Sequence, residues 1–458
     1  MLVLARKLKL KVLVMGVNNM HLDNLIFRVL ELQEQFKDKL TEDERSRFVR
    51  VCSTSSQIHP KLRQYSSTCL SFDSLQHLHD FIQGTDIFFS TAMSIFNTFF
   101  GCFKFDMCIL DEASLCVEPL SIGPFLMAEK AVMVGDYYIL NPQVKNSDAE
   151  KRGLGISLFR KLCEKYPYDV VILKKQYRMN DHICSLTNVI AYKGLIKHAL
   201  QERQEATLQF NNDIHLNEFP FIKEIKQHER KVVFINTDNL LNKALQKQLN
   251  AMKSRNFYES AIIFAIVENF LHSGLSRKQM AIVTPFVDQQ ALIQRQLTQF
   301  KMKAHLLDKI QGLQKDVIIV SCVQHNRKQA ILKDIKRLYL SFPRASKKLI
   351  IVGSINNLTK VQPMDQFVQY IKKKSWYIDI NNALQIKKYF APEASKFLSF
   401  LAPNKGDTLQ GLRHPSTCAY LGTTKKFADE NKIVYHIDGV ATTHTGMPKA
   451  QVNSSSLQ

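Results

Sequence analysis

The chain has 458 residues and a hydrophobic content of 45%, which is enough for two or three domains with their own cores. Its 62 basic residues outnumber 41 acidic ones, and the net charge of +21 favours a polyanionic partner. The sequence has no run of about 18 uncharged apolar residues, and its nine cysteines form no C-x-x-C pair. We therefore expect no transmembrane helix, no zinc or iron–sulfur site in this chain, and a reducing compartment.

Short apolar runs alternate with helical patterns along most of the chain. Strands are predicted at residues 12–15, 87–90, 107–110, 132–135, 170–173, 232–235, 281–284, 317–321 and 349–352. Helices are predicted between several of them, for example at residues 260–271 and 289–299. Several strand candidates are continuous Val/Ile/Leu runs, which are typical of parallel strands covered on both faces. The alternation predicts an α/β fold with open parallel sheets.

The predicted strands fall into two groups, which suggests two domains. We place the first domain at residues 1–168 and the second at residues 169–380, with the 170–173 strand opening the second. The polar stretch 199–229 is interpreted as an insertion or a mobile loop. Residues 381–458 contain Pro, Gly, Thr and Ser with little periodicity, and they are predicted to form a poorly ordered tail.

A strand that ends in two carboxylates is the most informative chemical feature. The apolar residues 107–110 lead directly into Asp111 and Glu112. In nucleotide-driven motors such a pair lies at the carboxyl edge of the sheet, where the Asp holds Mg²⁺ and the Glu polarises the attacking water. The 132–135 strand leads into Asp136, which could sense the γ-phosphate or its metal-bound water. The alternative is an exposed Asp-Glu dipeptide and an ordinary turn.

Two arginines near later strands could reach a bound phosphate. Arg178 lies in the segment Gln176-Tyr177-Arg178-Met179, and Arg344 precedes the strand at 349–352. A guanidinium in either place could stabilise charge on a transferring phosphoryl group as an arginine finger supplied in cis.

The order of these segments resembles motifs II to VI of superfamily 1 helicases. They read DEAS, VGD, QYRM, TPF--Q, D-IQG--KDVIIVSCV and D--RL----RA-KKLIIVG along the chain. Residues 12–25 resemble motif Ia, and residues 89–91 resemble motif Ib. The resemblance covers residues 11–380. It is strongest to the C-terminal helicase half of the eukaryotic DNA replication ATP-dependent helicase/nuclease family.

This resemblance implies two RecA-like domains of the P-loop-NTPase type, with ATP between them and single-stranded nucleic acid across both. It assigns Mg²⁺ to Asp111, water orientation to Glu112 and coupling of hydrolysis to nucleic acid to Asp136. It assigns charge stabilisation at the phosphoryl group to Arg178 and Arg344.

The resemblance also implies further ligand contacts. Tyr177 would stack near the nucleotide base with Gln176 beside it, and Gly312 would let the backbone approach the phosphates. Glu259 resembles an acidic contact of the family's second domain. The nucleic-acid contacts that the resemblance implies are Thr91, Thr284 and Asn24.

The sequence departs from the family pattern in several places. The 458 residues contain no Gly-Lys-Ser/Thr loop, so the first domain is expected to be truncated at its N-terminus, with strand neighbours left unpaired. The family's nuclease domain and its iron–sulfur cluster are not expected here. Ile139 replaces a Gln of motif III, Leu313 an Arg of motif V, Pro343 a Thr of motif VI and Asn18 a Thr of motif Ia. These changes favour relaxed constraint over functional tuning.

By resemblance, the function is ATP-dependent unwinding of DNA in nuclear replication and repair, with single-stranded or flap DNA as the nucleic-acid partner. The expected cofactors are ATP and Mg²⁺, a single-strand-binding protein is a possible partner, and no membrane is involved. Because the missing loop would supply N–H donors, a lysine and a hydroxyl, we expect this chain alone to bind ATP weakly. The alternatives are an inactive module that binds single-stranded nucleic acid, an RNA-directed relative, and an incomplete gene product.

Overall fold

Two parallel β-sheets with flanking helices organise the chain in the computed structural model. The structure describes residues 6–39, 41, 45, 47–96, 100, 104–210, 219–240, 255–310, 312–323, 335–360, 364–381 and 389. The tail predicted at 381–458 lies outside these residues except for positions 381 and 389. The predicted α/β class with two RecA-like parallel sheets is confirmed.

The first sheet has five strands in the order β2-β3-β1-β4-β5, and every neighbouring pair is parallel. Its strands are β1 Val12–Gly16, β2 Phe48–Arg50, β3 Ile87–Thr91, β4 Phe105–Leu110 and β5 Ala128–Met133. Three predicted strands are confirmed here, whereas β5 begins and ends earlier than the predicted 132–135. The apolar signal was misleading because β5 is a half-exposed edge strand with charged residues in its centre.

The outer edge of β5 has no strand partner in the described part of the chain. Residues 170–173, predicted as a strand, are not in one; Val171 and Leu173 are 83% and 80% exposed. That prediction is wrong because a β-branched run becomes a strand only where a neighbour completes its hydrogen bonds. Leu126, which ends the helix before β5, is 81% exposed as well. Every open sheet has two such edges, so the expectation that a missing N-terminal strand leaves its neighbours unpaired stays a prediction.

The second sheet has six parallel strands in the order β10-β9-β11-β12-β8-β13. They are β8 Val232–Asn236, β9 Met280–Thr284, β10 Ala304–Leu306, β11 Lys315–Ser321, β12 Ala345–Gly353 and β13 Tyr377–Asp379. The predicted strands at 232–235, 281–284, 317–321 and 349–352 are confirmed. Their side chains are almost all buried, as expected for strands covered on both faces. A small sheet pairs β6 Lys175–Gln176 with β7 Lys197–His198.

Helices begin at short polar caps in many cases, for example at Asn18 and Asn256. In chain order they are α1 Asn19–Gln35, α2 Leu75–Gly84, α3 Glu118–Leu126, α4 Ser147–Ala149, α5 Leu158–Lys165, α6 Asp181–Thr187, α7 Gln201–Glu205, α8 Pro220–Lys226, α9 Phe257–His272, α10 Val287–Leu297, α11 Ile335–Ser341, α12 Ile355–Leu358 and α13 Met364–Lys373. No helix in the described ranges is long and apolar enough to cross a bilayer.

The stretch 199–229 is not simply an insertion. It contains α7 and α8, and Phe221, Ile222 and Ile225 of α8 are buried in the core beside the second sheet. The prediction of a mobile loop is therefore wrong for residues 219–229. The polar composition hid a short helix with one apolar face. Residues 211–218 lie outside the described part.

Both sheets belong to one compact unit, Met1–Leu401. We call the first sheet with α1–α5 the first lobe and the described residues from β6 onward the second lobe. Ile139 and Leu140 follow the first sheet in sequence but pack into an apolar cluster of the second lobe that includes Met179 and Ile183. The lobes are therefore joined by a buried apolar contact.

Candidate functional site

The two carboxylates after β4 lie where the chain makes a sharp turn. Asp111 donates its backbone N–H to the carbonyl of Met15 at 2.8 Å, and its Oδ1 accepts from the backbone N of Glu112 at 2.9 Å. Glu112 has φ 54° and ψ 37°, a left-handed conformation that non-glycine residues seldom adopt. Such strain concentrates at functional positions. Burial raises the pKa of the Glu112 carboxyl, and the neighbouring His21 opposes that shift.

His21 is a member of the site that the sequence analysis did not identify. Its Nε2 lies 2.9 Å from Oδ2 of Asp111. The hydrogen bond to Asp111 is the main cause of the raised pKa of His21. Helix α1 presents the ring because the side chain of Asn18 caps the helix and accepts from the backbone N of His21 at 2.8 Å. No spacing rule could have paired a histidine with a carboxylate so far away in sequence.

Asp136 lies beside the acidic pair and also contacts the second lobe. A Cβ added to Gly135 would lie 2.9 Å from the backbone N of Ser114, so only glycine allows the segment after β5 to approach this closely. The backbone N of Asp136 donates to Oγ of Ser114 at 3.3 Å. The hydroxyl of Tyr192, in the second lobe, donates to Oδ2 of Asp136. Burial and the Asp136 carboxylate raise the pKa of Tyr192.

Arg178 and Arg344 approach the acidic edge from the second lobe. Gln176 holds the turn that carries Arg178, since its Oε1 accepts from the backbone N of Arg178 at 2.8 Å and of Met179 at 2.7 Å. Nη1 of Arg178 donates to the carbonyl of Pro343 at 3.1 Å, which links the two arginines. Burial lowers the pKa of both guanidinium groups, and the charge of Glu112 opposes this shift at each.

The predicted carboxylates and arginines therefore lie within electrostatic range of one another, and we call the space between them the crevice. The charge of Glu112 acts on the guanidinium group of Arg344 and, less strongly, on that of Arg178. Nε of Arg178 and Nε of Arg344 are buried, and neither has a hydrogen-bond partner among the described residues. Buried donors without partners are uncommon in folded proteins. An anion with several oxygen acceptors would satisfy them.

Two further predicted residues meet across the lobes. Gly312 has φ +73°, and a Cβ at that position would lie 2.9 Å from Nδ2 of Asn24 in α1. The backbone of Gly312 is therefore in close contact with a residue implied to bind nucleic acid. Tyr177 precedes Arg178, and its side chain is 61% exposed, so its ring is available to a ligand.

Three other predicted contacts are buried in protein. Glu259 is 1% exposed, and it accepts hydrogen bonds from Oγ of Ser321 at 2.6 Å and from the backbone N of Val323 at 3.1 Å. Burial raises the pKa of Glu259 to about 7, against the effect of these donors. Thr284 is fully buried and Thr91 is 7% exposed, with its Oγ1 lying 2.7 Å from Oγ of Ser94. The ligand contacts expected of these three residues stay predictions.

The four departures from the family pattern each have a local structural role. Ile139 is 5% exposed in the apolar cluster of the second lobe, and Leu313 packs against the same cluster. Pro343 contributes the carbonyl that accepts from Arg178, and Asn18 caps α1. Relaxed constraint is therefore not needed to explain these residues.

The donor set fits a magnesium-bound triphosphate. Carboxylate oxygens suit Mg²⁺, which proteins usually hold through one or two carboxylates plus phosphate oxygens. In the described ranges no group of three or more His, Cys, Asp or Glu side chains could hold a metal ion without such help. Asp111 would therefore share the ion with phosphate oxygens, while Arg178 and Arg344 would face the phosphates.

Two family models described as AAA domain match the chain, one over residues 71–147 and the other over residues 154–356. The match over residues 71–147 contains the carboxylates of the crevice, and the match over residues 154–356 contains its two arginines. The chain therefore carries superfamily 1 helicase domains. The motif order and the site geometry agree with this assignment.

Curated relatives of these helicase domains are DNA replication ATP-dependent helicase/nucleases. The Arabidopsis thaliana protein is 32% identical over 338 residues, which cover 73% of this chain and 25% of that protein. The Schizosaccharomyces pombe protein is 30% identical over 385 residues, covering 81% and 26%. The Homo sapiens protein is 29% identical over 343 residues, covering 71% and 32%. The chain thus spans a quarter to a third of the length of these relatives.

Solved helicase structures also align with the chain. An arterivirus nonstructural protein 10 (helicase) aligns with a TM-score of 0.33 and 14% identity, covering 80% of this chain and 63% of that one. The complex of that helicase with DNA aligns with a TM-score of 0.35 and 12% identity, covering 79% and 64%.

Proposed function

We propose that the chain is the motor region of a DNA helicase, with ATP bound in the crevice between its two lobes. The observation that carries this proposal is the pair of buried arginine Nε atoms without partners in the described ranges, on two guanidinium groups within electrostatic range of Glu112. A nucleotide triphosphate with its Mg²⁺ would match both sides, since the ion meets the carboxylates and the phosphates meet the guanidinium groups.

Each crevice residue then has a chemical role. Asp111 would hold Mg²⁺, with His21 keeping its carboxylate in place, and Glu112 would orient the attacking water. Arg178 and Arg344 would stabilise charge that develops on the γ-phosphoryl group. The bound Mg²⁺ would supply charge neutralisation between the phosphate oxygens.

Asp136 would connect the nucleotide to movement of the lobes. Its carboxylate lies at the acidic edge of the first lobe and is bonded to Tyr192 of the second. A change in charge at the crevice would therefore alter the hydrogen bond between Asp136 and Tyr192, which joins the two lobes. Tyr177, Gln176 and Gly312 would complete the nucleotide pocket, and Asn24 with Thr91 and Thr284 would lie along the nucleic-acid path.

Work in DNA replication is proposed from the names of the relatives. Repair, a nuclear location, single-stranded or flap DNA as substrate and a single-strand-binding protein as partner are proposed from the motif resemblance alone. The 458 residues contain no Gly-Lys-Ser/Thr loop. We propose that a polypeptide of these residues alone binds ATP weakly, because charge-assisted phosphate contacts contribute about 1.5–3 kcal/mol each.

The second candidate is a module that binds single-stranded nucleic acid without turnover. Two observations favour this second candidate. The net charge of +21 suits binding to a polyanion, and the two lobes are already in contact at Ile139 and Asp136. RNA in place of DNA is a variant of both candidates, since phosphate contacts do not distinguish the two.

An ATPase assay with and without single-stranded DNA separates the candidates. Turnover that DNA stimulates and that Glu112→Gln abolishes would support the motor, with Glu129→Gln on the exposed face of β5 as the matched control. Strand binding without turnover would support the module. Absence of both would contradict the two candidates together.

A further inference from the structure

We propose that a basic surface on the second lobe, outside the nucleotide crevice, binds the phosphate backbone of single-stranded DNA. This inference rests on the nucleic-acid function proposed above and adds a contact site that the helicase motifs do not contain. The basic surface consists of Arg277, Lys278, Lys301, Lys303 and Lys315.

The parallel sheet explains why these residues come together. Arg277 and Lys278 lie in the turn before β9, Lys301 and Lys303 precede β10, and Lys315 begins β11. Because β10, β9 and β11 are adjacent and parallel, their amino ends meet at one edge of the sheet.

Direct contacts fix this arrangement. Nζ of Lys315 donates to the carbonyl of Lys278 at 2.7 Å, and Nη1 of Arg277 donates to the carbonyl of Phe300 at 3.2 Å. Burial lowers the pKa of His305 on β10, and the charges of Lys315 and Lys303 lower it further. Both ammonium groups therefore lie within electrostatic range of the same ring.

The positive charges of the basic surface are not neutralised by the protein. None of its five residues forms an ion pair in the described ranges. The carboxylate nearest in sequence, Asp316, is already engaged by Nε2 of Gln279 at 3.1 Å, Oγ of Ser346 at 2.9 Å and Nζ of Lys347 at 3.2 Å. Clustered like charges repel one another, so a bound polyanion would remove an unfavourable term.

The shape of the surface favours a single strand over a duplex. Arg277 and Lys301 lie on the rim of an open cleft of about 460 Å³, which is also lined by Leu271, Leu275 and Phe300. An unpaired base can enter such a cleft and contact the aromatic ring while its phosphates meet the cations. Bases in a duplex stay stacked inside the helix and are not free to enter the cleft.

The test uses charge reversal at two exposed lysines. Lys301→Glu/Lys303→Glu is compared with the wild-type chain for binding of a fluorescein-labelled oligothymidylate, measured by fluorescence anisotropy over a range of salt concentrations without nucleotide. The logarithm of the binding constant falls linearly with the logarithm of the salt concentration, and for a single strand each phosphate contact contributes about 0.7 to the steepness of that line. Two lost contacts should therefore make the slope shallower by about 1.4. We expect at least about tenfold weaker binding near physiological salt.

The matched control is Lys151→Glu/Arg152→Glu in the first lobe, which changes net charge equally at two exposed positions. Unchanged binding in the Lys301→Glu/Lys303→Glu variant, or an equal loss in the control, would overturn this inference alone. Absence of strand binding by the wild-type chain would overturn both this inference and the proposed function. Equal competition by duplex DNA or polyglutamate would overturn the assignment to a single strand.

A second readout is independent of affinity. An oligonucleotide with 5-iodouracil should crosslink, under ultraviolet light, to the peptide that contains Phe300. Crosslinks confined to peptides outside residues 271–315 would contradict the inference.

Discussion

The hydroxyl of Tyr192 in the second lobe donates a hydrogen bond to the carboxylate of Asp136 in the first. This bond lies beside the contact of Ile139 with the second-lobe cluster, so polar and apolar contacts join the lobes at one place. The charges of Arg178 and Arg344 also act on Tyr192, so this junction lies within electrostatic range of both guanidinium groups.

Tyr192→Phe should loosen the junction between the lobes. The substitution removes a hydrogen bond to the partly buried Asp136 carboxylate; a hydrogen bond to a charged group contributes about 1.5–3 kcal/mol. We expect faster hydrogen exchange at residues 136–140 and 188–192. Tyr168→Phe, at a fully exposed ring, is the control. Identical hydrogen exchange in the two variants would show that the hydrogen bond between Tyr192 and Asp136 does not stabilise the contact between the lobes.

Ile139→Gln would restore the residue that the family pattern has at this position. Because Ile139 is 5% exposed among apolar side chains, the amide would be buried without a designed partner, at a cost of about 1–3 kcal/mol. Urea unfolding should show this loss, whereas Val171→Gln at an exposed position should change the free energy of unfolding little. An Ile139→Gln variant as stable as the parent would contradict the packing described here.

Much of this architecture could be predicted from the sequence. The strand before Asp111 and the strand after Arg344 contain continuous apolar runs, and the charged residues beside them identified the acidic and the basic side of the crevice. His21 and Tyr192 could not be identified, because each owes its place to a partner far away in the chain. The strands Phe48–Arg50, Ala304–Leu306 and Tyr377–Asp379 were too short to give a pattern.

The error at residues 170–173 has a different origin. The Val/Ile/Leu run has strand propensity, but propensity counts only where a neighbouring strand completes the ladder. Buried Thr284 shows a related limit, since a motif match does not reveal whether a hydroxyl faces solvent.

Glu259 should make stability depend on pH between its unfolded and folded pKa values. Its pKa rises from 4.5 to about 7 on folding, so the folded state binds more protons in that window. Stability should therefore fall as the pH rises from 4.5 to 7, by on the order of 3 kcal/mol. Urea unfolding at pH 5 and pH 7.5 measures this difference. Glu259→Gln should make this difference smaller, while the raised pKa values of Glu112 and His21 leave a remainder of the same sign. Glu129→Gln should leave it unchanged. A parent chain with equal stability at both pH values would refute the assignment.

The open edge of β5 should promote self-association. Exposed strand edges and apolar side chains pair with other chains, and Val132 on β5 is 38% exposed. Val132→Lys should lower the apparent molar mass at high concentration in sedimentation velocity. Leu200→Lys, at an exposed position of the second lobe, is the control. Equal self-association of the parent chain and both variants would show that the associating surface is not the edge of β5.

The shared crevice is tested most directly by hydrogen–deuterium exchange during titration with Mg²⁺–ATP at millimolar concentration. We predict slower exchange in both lobes, at residues 111–115 and at residues 176–179, with both effects lost in Arg178→Ala/Arg344→Ala. Slower exchange in one lobe only, or equal effects in the double variant, would contradict the claim that carboxylates and guanidinium groups close on one triphosphate.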